Sequence, residues 1–78
     1  MLKELITTIA EALVDDPDQV EVTEVEGNHH GAVIELRVAK NDIGKVIGKD
    51  GRTAQSMRVI LAAACTKVGR RAHLDIVD

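Results

Sequence analysis

Between Ile43 and Thr53 the chain reads IGKVIGKDGRT, which sets three glycines (Gly44, Gly48 and Gly51) and three basic residues (Lys45, Lys49 and Arg52) within eleven positions. Glycine lets a main chain approach an anion closely and take turn conformations closed to other residues. A helix starting just after such a loop adds unpaired amides and a partial positive charge at its first turn. These are the residue types of a phosphate cradle. Their spacing must say whether the phosphate belongs to a nucleotide, a dinucleotide or a nucleic-acid backbone.

Two templates fail. A Walker-A loop requires G-x-x-x-x-G-K-[ST], but only three residues separate Gly44 from Gly48, and Asp50 follows Lys49 where a hydroxyl should hold magnesium. The dinucleotide fingerprint G-x-G-x-x-G needs a tighter first spacing and a surrounding βαβ unit, and neither is present. The third template is a short helix, a G-x-x-G turn and a second helix. Gly48-Lys49-Asp50-Gly51 fits that turn, with Val46 and Ile47 just before it. In this setting Lys45, Lys49 and Arg52 supply cations, amides near Arg52 and Thr53 supply donors, and Ile43 and Ile47 offer an aliphatic floor for unstacked bases. Gly44 either lines the groove or lets the short helix pack closely on a sheet. Asp50 offsets the charge of Lys49, so the expected grip on phosphate is weak and salt-sensitive.

Other chemistry is sparse. His29 and His30 are adjacent loop residues without a third ligand and read as exposed turn residues, so no metal is expected. Cys65 lies mid-helix among alanines, where a thiol serves as a small core residue. No zinc spacing, paired carboxylates, base–nucleophile arrangement or cofactor cage is visible, so neither an enzyme nor a small-molecule substrate is expected. The acids within MLKELITTIAEALVDD argue against a signal peptide or membrane span, and a cytoplasmic protein without a membrane partner is the expectation.

The elements that must position the loop follow from periodicity. Leu2, Leu5, Ile6, Ile9 and Leu13 mark one face of a helix over about residues 2–15, stopped by Pro17. Val20 and Val22 begin a strand whose phase shifts before Val25, which predicts a bulge or irregular edge. GNHHG is a turn, and Ile34, Leu36 and Val38 line one side of a second, antiparallel strand. Asn41 or Asp42 is placed to cap the short helix. A long helix spans about Arg52 to Val68 and closes at Gly69. Ala72, Leu74 and Ile76 face inward from a last strand, with His73 and Asp75 outward. The predicted fold is α+β, a single domain over residues 1–78 with a three-stranded sheet and helices on one face.

The net charge of −3 speaks against a nucleic-acid ligand, but its distribution does not. Residues 1–38 hold two basic and nine acidic residues, whereas residues 39–78 hold eight basic and four acidic ones. Anion attraction is therefore local. Arg58, Lys67, Arg70 and Arg71 read as solvated charges. Phe, Tyr and Trp are absent, which removes the stacking surfaces of RRM and OB-fold binders.

Taken together, ELITTIAEALVDDPDQVEVTEVEG, ELRVAKNDIGKVIGKDGRTAQSMR and the closing LDIVD resemble the KH domain in its type II arrangement, and within it the small bacterial KhpA (YlqC-type) family. The resemblance covers essentially the whole chain. It implies single-stranded RNA binding of RNA-chaperone type at the G-x-x-G loop, which in KH domains clamps about four nucleotides. It also implies a KhpB-type partner (Jag or EloR) and a link to cell elongation and division. The RNA-binding residues it points to are Ile43, Gly44, Lys45, Ile47, Gly48, Lys49, Asp50, Gly51 and Arg52.

The long helix carries a second signal. Ala54, Met57, Leu61, Ala64, Cys65 and Val68 suffice as its core stripe, leaving Val59, Ile60, Ala62 and Ala63 outside it. Either a narrow domain buries these edges, or Val59, Ile60 and Ala63 form a helix–helix interface for a homodimer or an exchanged heterodimer. The competing functional reading is a protein-interaction module in which the scaffold mainly serves dimerisation.

Overall fold

Ile34 and Leu36 occupy consecutive inward positions of one strand and are fully buried, which makes that strand the spine of the sheet. A computed structural model describes residues 1–27 and 31–78. His29 and His30, expected as exposed turn residues, lie outside the described residues. The elements are α1 (Leu2–Leu13), β1 (Glu21–Val25), β2 (Ala32–Arg37), α2 (Ile43–Ile47), α3 (Arg52–Val68) and β3 (Ala72–Val77), with short 3-10 turns at Pro17–Gln19, Lys40–Asp42 and Lys49–Gly51.

β2 lies between the other two strands. It pairs antiparallel with β1, from Glu21↔Arg37 to Val25↔Val33. Its pairing with β3 is parallel, from Ala32↔Ala72 to Arg37↔Val77. A parallel pair needs a long crossover, and α2, the glycine loop and α3 supply it. The three helices cover one face of this sheet. Between helices and sheet lies an aliphatic core of Leu2, Ile6, Ala10 and Val14, Ile34, Leu36 and Val38, Val46, Met57, Leu61 and Cys65, and Leu74. The α+β architecture is the one read from the sequence.

Three local readings change. First, α1 ends at Leu13, with Val14 already extended, short of residue 15. Second, its buried stripe is Leu2, Ile6, Ala10 and Val14, while Leu13 is 38% exposed. Spacing alone weighs Leu13 above Ala10, but the helix rolls so that small Ala10 meets its neighbours and Val14 closes the end. Third, β1 has no bulge, for its register with β2 is unbroken. The apparent phase shift arises because Glu24 takes an inward position after Val22, while Val25 is 44% exposed on the far side. Glu24 is tolerated there because its carboxylate meets the Arg70 guanidinium beyond the end of α3.

The stripe yields a stability test by chemical denaturation. Truncating fully buried Ile6 to Ala should cost about 2–5 kcal/mol, whereas Leu13→Ala should cost less than about 1 kcal/mol.

Candidate nucleic-acid interface

Gly48 joins α2 to the turn with φ 78° and ψ 170°. A Cβ at this position would lie 2.2 Å from Thr53 Oγ1 and 2.8 Å from the Thr53 amide nitrogen. Glycine is therefore required twice, by its dihedral angles and by the close approach of α3's first turn. The turn closes with the Gly51 amide donating to the Gly48 carbonyl at 3.1 Å. Asp50 (φ 58°, ψ 24°) and Gly51 (φ 75°, ψ 13°) are both left-handed. Aspartate is among the few non-glycine residues that tolerate that region, so Asp50 has a conformational role beside its charge. No side chain caps the start of α3, and the Arg52 amide donates to the Lys49 carbonyl.

α2 presents Ile43, Gly44 and Ile47 on one side, at helical spacing, while Val46 on the other is fully buried. Ile47 is 38% exposed. Of the two readings of Gly44, the close-packing one falls, since a Cβ there would meet nothing within 4 Å. Gly44 does not serve close packing on the sheet; it leaves a bare patch of helix beside the glycine turn. Ile43 also borders a cleft of about 380 Å³ with Arg37, Val38, Lys40 and Val77.

The predicted cations divide. Lys49 and Arg52 are exposed, and among the described residues no ion pair engages them. Lys45 is engaged: its Nζ lies 3.2 Å from Asp15 Oδ2 and 3.4 Å from Asp42 Oδ1. These two carboxylates hold the ammonium charged to higher pH than an ordinary lysine, Asp15 contributing more. Asp42, expected as a possible helix cap, stands at the N-cap position of α2 without capping it. Its Oδ1 and Oδ2 instead accept the Asp15 and Asp16 amides at 3.2 and 3.1 Å. Burial pushes the Asp42 carboxyl up, but these two amides and Lys45 outweigh it, and the group lies below the usual aspartate value.

β3 is an edge strand, so one row of its backbone groups is free of sheet pairing. Between that edge and α3 runs a groove of about 830 Å³, lined by Arg58, Leu61, Cys65, Arg70, Arg71 and Leu74 among others. Arg58 reaches across it, Nη2 donating to the Leu74 carbonyl at 3.5 Å. Arg70 is tied to Glu24, with Glu26 at 3.9 Å. Arg58, expected as a solvated charge, and the β3 edge were not among the site residues expected from sequence. The motif cannot show that β3 ends up outermost, because strand order is not a local property. Val59 and Ile60 project away from the core, 60% and 46% exposed, and Ala63 is exposed beside them.

A helix, two antiparallel strands, a short helix, a G-x-x-G turn, a long helix and a strand parallel to the second define a type II KH domain. The family described as KhpA/KhpB, KH domain, matches residues 3–76, and the chain belongs to that family. The RNA-binding protein KhpA of Caldanaerobacter subterraneus subsp. tengcongensis is 53% identical over 74 residues, covering 95% of this chain and 97% of that one. Its counterparts in Halalkalibacterium halodurans and Aquifex aeolicus are 52% and 48% identical, each covering 99% of this chain and 100% and 96% of theirs. Among solved structures, Era in complex with MgGDPNP and nucleotides 1506–1542 of 16S ribosomal RNA superposes with a TM-score of 0.61 at 21% identity, over 96% of this chain and 28% of that one. That likeness concerns the fold. Among the described residues no helix is long and apolar enough to cross a membrane, and no cluster suits a metal ion.

The glycines should separate in thermal melts. Gly48→Ala should be the most damaging, Gly51→Ala should cost about 1–2 kcal/mol for its left-handed backbone, and Gly44→Ala should stabilise by up to about 1 kcal/mol. A second test is pH. A carboxyl held below its ordinary value of 3.8 contributes stability above that value and loses it as pH falls through the lowered one. Asp42→Asn should therefore cost stability at neutral pH, and the gap to the parent protein should close below about pH 3.8.

Proposed function

We propose that this protein binds single-stranded RNA without catalysing a reaction, gripping the phosphate backbone at Gly48–Gly51. The observation that carries this reading is the loop itself. Two glycines in left-handed or related conformations, an uncapped helix start and the unpaired cations Lys49 and Arg52 converge on one surface. Ile43, Gly44 and Ile47 extend it as an apolar strip without side-chain bulk at its centre. The α3–β3 groove, lined in part by Arg58, adds the open β3 edge as a source of backbone donors and acceptors. The KhpA relatives, named as RNA-binding proteins, support the same ligand class.

Labelled single-stranded RNA titrated against the parent and a Gly48→Asp, Gly51→Asp variant tests the proposal. The variant should lose binding, and equal binding by both would refute the loop grip. For a single strand, log K falls against log salt by about 0.7 for each phosphate neutralised. Lys49→Ala and Arg52→Ala should each lower that slope by about 0.7. Gly44→Ala should bind more weakly although it is the more stable protein.

A second reading concerns assembly. Val59 and Ile60 are large aliphatic residues turned to solvent on a helix whose core stripe is already complete. With Ala63 they form a face suited to a second copy of the chain or to a KhpB-type partner, through which a role in cell elongation and division would act. Sedimentation should give a dimer mass for the parent and a monomer mass for Ile60→Lys. Equal monomer masses would eliminate this face as a homodimer interface.

A further inference from the structure

Asp42 is the one charged residue that is buried among the described residues, 2% exposed. The phosphate grip makes no use of it. Its carboxylate accepts two backbone amides from the segment that follows α1, at Asp15 and Asp16. It also pairs with Lys45, which reaches on to the Asp15 carboxylate. Four residues from two distant segments thus meet at the first turn of α2. That helix is only five residues long and too short to persist unaided. Besides Val46 in the core and half-buried Ile43 packed against it, this cluster ties it down, and the glycine loop hangs from its far end.

We propose that Asp42 and Lys45 form a latch that positions α2, and with it the Gly48–Gly51 loop, and that Lys45 is not a phosphate ligand. The proposal rests on the RNA-binding reading only for its affinity arm. Bringing Lys45 to a phosphate would require taking it from two carboxylates, one of them buried and left with a charge it cannot share with water. Lys45 therefore differs in kind from Lys49 and Arg52, although the three look alike in the motif. Its ammonium neutralises the protein's own acids.

The test compares Lys45→Gln, Asp42→Asn, their double variant and Lys49→Gln. Thermal melts, amide NMR spectra and titrations of a fluorescein-labelled dodecamer of single-stranded RNA over a range of salt are recorded where every variant is folded. Lys45→Gln and Asp42→Asn should each lower Tm by ~5 °C or more, and the double variant should fall well short of the sum. The Gly48 and Gly51 amide resonances should shift in Asp42→Asn while those of β1 stay in place, a change that general loss of stability would not produce. Lys45→Gln should weaken RNA binding several-fold with an unchanged salt slope, whereas Lys49→Gln should lower the slope by about 0.7. A slope loss of that size in Lys45→Gln would make Lys45 a phosphate ligand and overturn the latch. Additive Tm changes or unmoved glycine resonances would overturn it as well. Should the parent protein fail to bind the dodecamer, the RNA reading falls, while the melts and resonances still decide the latch.

Discussion

One close approach governs the glycine turn: the backbone of Gly48 lies against the first turn of α3, where any Cβ would collide with Thr53. The contact fixes how sharply the chain turns between α2 and α3, and hence which amides and cations share a surface. It can form only if α2 is held in place, and α2 has few means of holding itself. Val46 enters the core on one side and Asp42 grips the segment after α1 on another. The loop geometry thus depends on a residue near the start of α2 and on backbone amides some 26 residues earlier.

The charges obey a similar division. The acid-rich first half of the chain does not simply oppose an anionic ligand, because part of it neutralises cations of the second half. Asp15 occupies Lys45, joined by Asp42 of the second half itself, and Glu24 and Glu26 occupy Arg70. Other acids stand on the open face of the sheet, where Glu35 and Asp75 are register neighbours and Glu21 lies on the next strand but one from Asp75. That face also carries Arg37 opposite Glu21 but is on balance acidic, whereas Lys49, Arg52 and Arg58 lie on the helices and the glycine turn. A net charge of −3 is therefore compatible with a locally attractive surface.

Much of this was legible in the sequence. The core stripe of α3, the glycine stop at Gly69 and the inward row Ile34, Leu36 and Val38 follow from periodicity and stand as read. What periodicity could not supply was partnership between distant residues. Glu24 breaks the apolar alternation of β1, and without Arg70 across the fold the break reads as a bulge. Lys45 has the same neighbours in sequence as a phosphate ligand would have, and only its carboxylate partners set it apart. Ala10 outranks Leu13 in the core because of helix roll, which depends on what α1 packs against. Arg58 gains its place only once β3 is known to be the sheet edge.

The lack of aromatic residues decides what kind of RNA grip the surface can sustain. Stacking on an aromatic ring is worth about 1–3 kcal/mol per base, and here no ring exists to provide it. Ile43 and Ile47 can shield a base from water but give little preference for one base over another. On the proposed reading, discrimination would be left to backbone groups along the β3 edge and to Arg58, while the glycine turn with Lys49 and Arg52 would act on phosphates common to every sequence. Asp50 lies between those cations, held there by a left-handed backbone that few other side chains accept. On the proposed reading, the conformation that would open the turn to phosphate thus also favours a residue that opposes phosphate. A binder built in this way is broad in sequence, modest in strength and sensitive to salt, and pairing two such surfaces through Val59 and Ile60 would raise its hold on a long strand without any new contact to a base.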